Sequence, residues 1–159
     1  MKSKDAFAQK FGSEIRMYFN WSRLMSEEWP VEIVTISGSN ELAALRLPWC
    51  LSSKNEFVSF ETEDGFPVRL SEVGVWFAYL PTGIRDKIER FESEFRHAPR
   101  HVSFDFPAYA IPMQQHLVLD GNHKLCALTR SGVPFRLQMW AVNGPLDETV
   151  LPDLRHFLS

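Results

Sequence analysis

Apolar side chains recur at helical spacing near the start of the chain. Phe7, Phe11, Ile15 and Tyr18 are three or four residues apart, which is the spacing of one face of an amphipathic helix. The pattern therefore predicts a helix over residues 4 to 19, packed through its phenylalanine face.

Short β-branched and alternating runs follow this helix. Residues 31 to 37, VEIVTIS, precede a Gly-Ser-Asn turn signal and predict a strand. Residues 41 to 47 fit either a strand or a short helix. Residues 56 to 62 and 66 to 70 flank a turn that contains glycine, which predicts a β-hairpin. The apolar run over residues 74 to 80 is predicted to form a buried strand or a buried helical turn.

The hydrophobic period changes to 3.6 residues from Thr82 onward. Ile84, Ile88, Phe91 and Phe95 share one stripe, with charged residues between them. This pattern predicts an amphipathic helix that follows Thr82 as its N-cap.

Alternating runs and one short periodic segment fill the chain from there to residue 142. Two prolines, Pro107 and Pro112, are predicted to interrupt the strand that begins with HVSFDF. The predicted elements are a strand at 101 to 106, a strand at 116 to 119, a helix at about 122 to 131, a half-buried strand at 134 to 142, and a last helical segment around LPDLRHFL.

This order of elements predicts an α+β fold with a mixed sheet and flanking helices. The chain has 159 residues, of which 45% are hydrophobic, so it can build one domain with a substantial core but not two comfortable ones. We expect one globular unit. Residues 1 to 81 would supply a helix and strands that pack onto a core formed by residues 82 to 159.

Composition excludes several classes of protein. The formal net charge of −3 argues against a general binder of nucleic acid or of membrane surfaces. No apolar stretch approaches the roughly 18 residues of a membrane span, and the N-terminus is polar, so we expect a cytoplasmic protein. Cys50 and Cys126 form no CxxC motif, and His97 and His101 have no carboxylate at ligand spacing, so no metal site is expected.

The stretch LVLDGNHKLCAL, residues 117 to 128, contains the most informative break in the pattern. A strand that passes through Asp120, Gly121 and Asn122 into a helix leaves the first N–H groups of that helix unpaired, which favours an anion. His123 and Lys124 then lie in the first turn, where positive charge is disfavoured by about 0.3–1 kcal/mol unless an anion is present. The alternative is a purely structural cap of the helix by Asp120 and Asn122, with a solvated Lys124 and with His123 packed on the sheet.

These residues resemble the signature of the ParB/sulfiredoxin-like superfamily. That signature is an apolar strand, an Asp-Gly-x-His-Arg type of loop, and a short helix with a small residue about four positions later. The matching residues are Leu117, Val118, Leu119, Asp120, Gly121, Asn122, His123, Lys124, Ala127 and Leu128. Gly132, the strand after it and the helix before the break also fit, so the resemblance covers about residues 82 to 142.

The resemblance implies a cradle for the phosphates of a nucleotide, ATP or CTP. Members of the superfamily use it for nucleotide binding and hydrolysis, for phosphoryl transfer, or for repair of oxidised cysteine. Carried over to this chain, Gly121 is the glycine of close approach, and His123 and Lys124 take the places of the basic pair that contacts phosphate. Asn122, between Gly121 and His123, is also predicted to bind the phosphates.

Several departures limit this comparison. Lys124 stands where arginine is usual and offers a point charge instead of a bidentate fork. Asn122 stands where sulfiredoxins have their catalytic cysteine, and Cys126 is expected to be a buried thiol, so sulfinic acid reductase chemistry is not expected. ParB proteins continue into a helix-turn-helix domain that this sequence does not include, so sequence-specific DNA binding is not expected either.

Turnover of a nucleotide would require a carboxylate that orients the nucleophile or holds Mg²⁺. Asp120 and His123 are the predicted catalytic residues, and Arg130 is a further predicted phosphate ligand. The glutamates of the upstream helix are alternative carboxylates, although a solvated helix face would explain them equally well: Glu89, Glu92 and Glu94. Whether the protein is an enzyme or only binds the nucleotide stays open.

The five tryptophans suggest a second class of function. Trp140 shares a strand face with Arg136 and Gln138, a composition common at protein interfaces. A protein-binding module, such as a toxin-neutralising immunity protein or an adaptor, would use Trp140 and Arg136 to bind a cognate protein on a scaffold without catalysis.

Overall fold

A seven-stranded mixed sheet runs through the chain. The structure is a computed structural model that describes residues 3–98 and 100–158. The strands are β1 (Val31–Ile36), β2 (Leu45–Leu51), β3 (Phe57–Val58), β4 (Phe66–Arg69), β5 (Val102–Ile111), β6 (Gln115–Val118) and β7 (Phe135–Val142). They lie in the order β1, β7, β5, β6, β2, β3, and β4 pairs with β2.

Within the residues that the structure describes, six α-helices and three short 3₁₀ segments accompany the sheet. The helices are α1 (Ser3–Phe11), α2 (Trp21–Ser26), α3 (Ser39–Ala43), α4 (Val73–Trp76), α5 (Thr82–Arg96) and α6 (Asn122–Ser131). The 3₁₀ segments are Leu70–Glu72, Phe77–Tyr79 and Pro152–Phe157. The mixed sheet with flanking helices that the sequence predicts is thus confirmed as a mixed α/β architecture. No helix in the described residues is long and apolar enough to cross a membrane.

Strands from the two halves of the chain pair within this one sheet. In the C-terminal half, β5 is parallel to β7 and antiparallel to β6. In the N-terminal half, β1 pairs antiparallel with β7, and β2 pairs parallel with β6. The N-terminal strands therefore extend the C-terminal sheet on both sides.

Two apolar cores lie against the sheet. One contains the apolar residues of α5 and α6, including Ile88, Leu125 and Leu128, together with Phe106 and Leu137 of the sheet. The other contains Phe7, Phe11, Tyr109, Leu119 and Leu154, contributed by α1, the sheet and the C-terminal segment. Helices α5 and α6 therefore cover one face of the sheet, while α1 and the C-terminal segment cover the other.

The first helix is shorter than its hydrophobic pattern predicts. Helix α1 ends at Phe11 instead of residue 19. The Gly12 N–H makes the last helical bond, to the Ala8 carbonyl, and the N–H groups of Glu14 and Ile15 then both donate to the Phe11 carbonyl, which turns the chain out of the helix. Ile15 and Phe19 are nevertheless buried in the second core. Their spacing thus reports burial of an irregular segment and not helical structure.

The predicted hairpin is also wrong. Strands β3 and β4 each pair with β2 and not with each other, so Leu51 lies opposite both Phe57 and Phe66. The ambiguous stretch at 41 to 47 contains both alternatives, because α3 ends at Ala43 and β2 begins at Leu45. The run at 74 to 80 adopts the helical alternative, in α4 and the 3₁₀ segment after it.

Most of the elements predicted after residue 81 are confirmed, with two departures, each at a proline. Strand β5 continues through Pro107 to Ile111. The Pro107 carbonyl accepts a hydrogen bond from Leu119 N at 2.9 Å, so the polar groups of Pro107 face the β6 side, where β6 has already ended at Val118. Its missing N–H therefore costs no bond to β7. At the start of α5, Pro81 and not Thr82 is the N-cap.

Candidate functional site

The break at Asp120 to Asn122 turns the chain from β6 into α6. Gly121 is the N-cap, with a left-handed φ of 89°, and the first helical bond runs from Leu125 N to Gly121 O at 3.0 Å. The N–H groups of Asn122, His123 and Lys124 therefore have no partner inside the helix and point out of its N-terminal end. These are the donors that an anion at this corner would use.

One detail of this turn differs from the structural alternative that the sequence offered. Asn122 is the first helical residue and caps nothing, and its side-chain Oδ1 is buried without a hydrogen-bond partner. The left-handed turn favours glycine at position 121, and a Cβ added there would lie at an ordinary contact distance of 3.5 Å from Cβ of Phe106. The close approach of Gly121 to a ligand stays a prediction.

Two adjoining cavities open at the start of α6, with volumes of about 390 and 190 Å³. We call them together the α6 cleft. They share four lining residues: Glu14, Lys87, Asp120 and His123. The larger cavity also contacts Arg16, Met17, Pro48 and Asn122. The smaller one also contacts Phe91, Phe104, Asp105, Gly121 and Lys124. All five loop residues predicted from the sequence, Asp120 to Lys124, thus line the cleft.

Three cationic side chains line the α6 cleft, and none of them has an ion-pair partner among residues 3–98 and 100–158: Arg16, Lys87 and Lys124. Three carboxylates line it as well. Asp105 lies 3.5 Å from Lys10 and accepts a hydrogen bond from the Trp140 indole. Glu14 and Asp120 form no ion pair in the described part of the chain. The cleft therefore holds uncompensated charges of both signs.

Lys124 contacts aromatic rings instead of carboxylates. Its Nζ lies 5.7 Å from the ring centroid of Phe91 on α5 and 5.4 Å from that of Phe104 on β5. Both are within the range of a cation–π interaction, which positions the ammonium group without neutralising its charge. Lys124 therefore remains able to attract an anion.

His123 is uncharged at neutral pH. Its ring meets Trp49 edge to face, with centroids 5.1 Å apart. Burial and the nearby charge of Lys87 lower its pKa to about 4. The positive charge that the sequence suggested for this position is thus absent at pH 7, and His123 offers a neutral imidazole there, with one donor and one acceptor nitrogen. Its predicted catalytic role stays a prediction.

Arg130 lies away from the cleft, contrary to its predicted role as a phosphate ligand. It is eight residues along α6 from Asn122, which is roughly 12 Å at 1.5 Å per residue. Its guanidinium donates to the carboxylate of Glu92 and stacks on Phe77. Glu92 is buried by this pairing and also lies 3.7 Å from Arg96. It is therefore a structural carboxylate, and neither Glu89 nor Glu94 lines the cleft.

Sequence reasoning missed several residues that line the cleft, among them three charged ones that have no ion-pair partner in the described chain. Glu14 and Arg16 belong to the irregular segment after α1, and Lys87 belongs to α5. The Gly12-Ser13 pair after Phe11 was the available signal for the segment, because glycine commonly ends a helix. For Lys87 the signal was its i, i+4 spacing to Phe91, which places both on one helix face.

Neither cysteine is prepared for reaction. Burial raises the pKa of Cys126, and burial also raises the pKa of Cys50 to about 11. Both thiols are therefore protonated at pH 7, and protonated buried thiols are poor nucleophiles. Within the described residues, no three His, Cys, Asp or Glu side chains are grouped so that they could hold a metal ion.

The predicted partner-binding pair occupies two different environments. Trp140 is partly buried against Phe11 of α1, carries Lys10 Nζ 5.9 Å from its ring, and donates to Asp105. Arg136 is exposed. Because α1 covers Trp140, replacing it with alanine would disturb the packing of α1 as well as any surface. The protein-binding role stays a prediction, and no tryptophan is among the exposed large apolar side chains of the described chain.

Comparisons with known proteins give no match to this chain. It matches no protein-family model, no curated protein and no solved structure. The function is therefore inferred from the geometry of the α6 cleft and from the sequence pattern of the residues that line it.

Proposed function

We propose that the α6 cleft binds the phosphate groups of a nucleotide, ATP or CTP. The observation that carries the proposal is the meeting of a helix N-terminus with Arg16, Lys87 and Lys124 along the two adjoining cavities of the α6 cleft, where none of the three is paired with a carboxylate of the described chain. Free amides at a helix start and unpaired cations both favour a polyanion. In this proposal Lys124 and Lys87 hold the phosphates, and His123 contributes a hydrogen bond as a neutral imidazole.

A ParB/sulfiredoxin-like fold for residues 82 to 142 belongs to the same proposal. It is supported by the order of α5, β5, β6, α6 and β7, with the Asp-Gly-Asn-His-Lys loop between β6 and α6. In this reading β1 and β2 extend the family's sheet on its two sides.

The oxygen donors of the cleft suit Mg²⁺, the usual companion of a nucleotide. Glu14 and Asp120 line the larger cavity together with Asn122, whose Oδ1 is a buried acceptor without a partner. Mg²⁺ prefers oxygen ligands of this kind and is commonly bound through one or two carboxylates plus phosphates. Bound there, the ion would neutralise phosphate charge that the two carboxylates would otherwise repel.

Turnover is the extension of this proposal. Glu14 and Asp120 both line the two cavities, and Asp120 directly precedes the N-cap of α6, where the free amides lie. Asp120 is therefore the carboxylate we assign to accepting a proton from the attacking water or hydroxyl group. Such chemistry consists mainly of positioning and charge stabilisation, which fixed cations and helix amides supply. Hydrolysis and transfer to an acceptor both fit this arrangement.

Thermal unfolding with ATP or CTP, each with Mg²⁺, tests the binding proposal. A nucleotide at a hundred times its Kd stabilises the native state by about 2.7 kcal/mol, so the Tm should rise by several degrees. The Lys124→Met variant keeps an unbranched apolar stem near Phe91 and Phe104 but removes the charge, and it should lose most of the shift.

Lys54→Met is the matched control, because Lys54 is exposed and lines neither cavity of the cleft. It should keep the full shift. The proposal fails if neither nucleotide raises the Tm of the native protein, or if Lys124→Met responds as Lys54→Met does. Phosphate release by the native protein and by Asp120→Asn, compared at saturating nucleotide, then separates turnover from binding alone.

A further inference from the structure

Strand β1 is an uncovered outer edge of the sheet. It pairs on one side with β7, and within residues 3–98 and 100–158 no strand pairs with its other side. Four consecutive residues, 32 to 35, are exposed, among them Ile33 at 47% and Val34 at 37%. Because neighbouring residues point to opposite faces, the middle of β1 is uncovered on both faces.

The backbone of β1 divides into inward and outward residues. Asn143 N donates to Pro30 O at 2.9 Å, so Pro30 faces β7. In an antiparallel pair the bonded residues alternate, and Glu32, Val34 and Ile36 therefore bond to β7 as Pro30 does. The N–H and C=O groups of the intervening residues point away from the sheet: Val31, Ile33 and Thr35.

This edge has few of the devices that usually prevent strand pairing, since Glu32 is its one charged side chain. The register with β7 runs from Val31 opposite Val142 to Ile36 opposite Leu137 without a shift, so no bulge twists it away. The sequence VEIVTI contains neither lysine nor proline, and five of its six residues are β-branched. By contrast, at the other end of the sheet β3 has only two residues, and β4, which also pairs with β2, contains Pro67.

We propose that β1 pairs antiparallel with β1 of a second copy of this chain, about a two-fold axis at Ile33. In this register Ile33 lies opposite Ile33 of the second copy, Val31 lies opposite its Thr35, and Thr35 lies opposite its Val31. These three outward pairs would exchange about six main-chain hydrogen bonds. Glu32, the one charged residue of the strand, lies opposite Val34.

The strand is complementary to itself in this register and poorly so in the neighbouring ones. Moving the axis to Glu32 places two carboxylates directly opposite each other, which is unfavourable. Moving it to Val34 reduces the outward bonded pairs within β1 from three to two. The self-pairing at Ile33 therefore has the most hydrogen bonds and no opposed charges, which favours a second copy over an unrelated strand as the occupant.

A proline substitution at the outward position tests the pairing. Proline is tolerated on an edge strand where the missing N–H faces solvent, so Ile33→Pro should keep the β1–β7 ladder and remove the dimer. We expect the native chain to show a dimer mass in sedimentation at tens of micromolar, and Ile33→Pro to raise the dimer Kd by at least about 100-fold. Ile33→Val is the matched control and should remain a dimer.

Cross-linking tests the register independently. Residues 32 and 34 of opposite copies form non-bonded pairs, whose Cα atoms lie about 4.5 Å apart, within reach of a disulfide. A mixture of Glu32→Cys and Val34→Cys should therefore form far more disulfide-linked dimer than either variant alone. The native Cys50 and Cys126 are buried and do not compete.

The proposal is overturned if the native chain is a monomer throughout, if Ile33→Pro is folded and still dimeric, or if the mixture cross-links no better than its components. Capture of an unrelated extended peptide by a monomer would also overturn it. None of these results depends on the α6 cleft, so nucleotide binding stands or fails separately.

Discussion

Protonation of His123 should destabilise the protein as the pH falls from neutral toward 4. The imidazole packs edge to face with Trp49 and lines the α6 cleft beside Lys87. Burial is the larger cause of its lowered pKa, and the charge of Lys87 is the second. Both favour the neutral form in the folded protein, whereas the unfolded chain exposes an ordinary histidine.

The sign and size follow from the two pKa values. The folded pKa is about 4 and the ordinary value is 6.5. Between them the unfolded chain binds more protons, so the stabilisation is fully present above pH 6.5 and is lost as the pH falls to 4. This difference between the two pKa values corresponds to about 3 kcal/mol for a fully shielded group. His123 borders a cleft that contacts water, and screening there reduces the expected loss to about 1–2 kcal/mol.

Urea denaturation of the native protein and of His123→Gln at pH 7.5 and pH 4.5 measures this loss. The comparison with the variant is necessary because other groups titrate in the same range. Burial raises the pKa of Asp153 to about 6, which strengthens the fold in acid, and burial lowers the pKa of His116 and of His156, which weakens it. These contributions are common to both proteins. The native protein should lose about 1–2 kcal/mol more than the variant; equal losses would refute the assignment of a neutral, buried His123.

Two further substitutions test the frame of the cleft by urea denaturation at pH 7.5. Gly121→Ala should lower the free energy of unfolding by about 1–2 kcal/mol through the left-handed φ alone, because the new Cβ would meet Phe106 only at ordinary contact distance. Gly74→Ala is the control: it lies in α4 with open space around it and should be neutral or stabilising. Equal effects of the two substitutions would show that the left-handed φ of Gly121 carries no cost. Glu92→Gln should cost about 2 kcal/mol, less than the roughly 3–5 kcal/mol of a fully buried pair, because Arg130 is 29% exposed and can be rehydrated. A cost near zero would mean that the Glu92–Arg130 pair does not fasten α5 to α6.

The C-terminal half was predictable because its patterns are local. The stripe of α5, the alternation of β7 and the length of α6 each follow from residues near in sequence, and Gly132 ends α6 with a left-handed φ of 66° as a glycine stop should. The loop that carries Asp120 to Lys124 was found for the same reason. Its polar residues separate two apolar runs, and this break can be recognised without knowing which distant residues pack against it.

The N-terminal half was predicted less well because its partners are distant. Strands β3 and β4 looked like a hairpin, but both pair with β2, and the choice between these arrangements depends on where β2 itself lies beside β6. Ile15 and Phe19 kept a helical spacing while packing in an irregular segment. Local periodicity cannot separate these cases, since burial by a distant element imposes the same pattern.

Lys124 illustrates how packing changes the weight of a sequence argument. In the first turn of α6, its charge opposes the helix dipole by about 0.3–1 kcal/mol, which by itself suggested that an anion must be present. Each ring that it contacts, Phe91 and Phe104, is worth about 0.5–1 kcal/mol. The rings therefore offset the dipole without any ligand, and the cost of the lysine no longer argues for an anion. What argues for one is that Arg16 and Lys87, brought from two other elements, line the same cavity without carboxylate partners in the described chain.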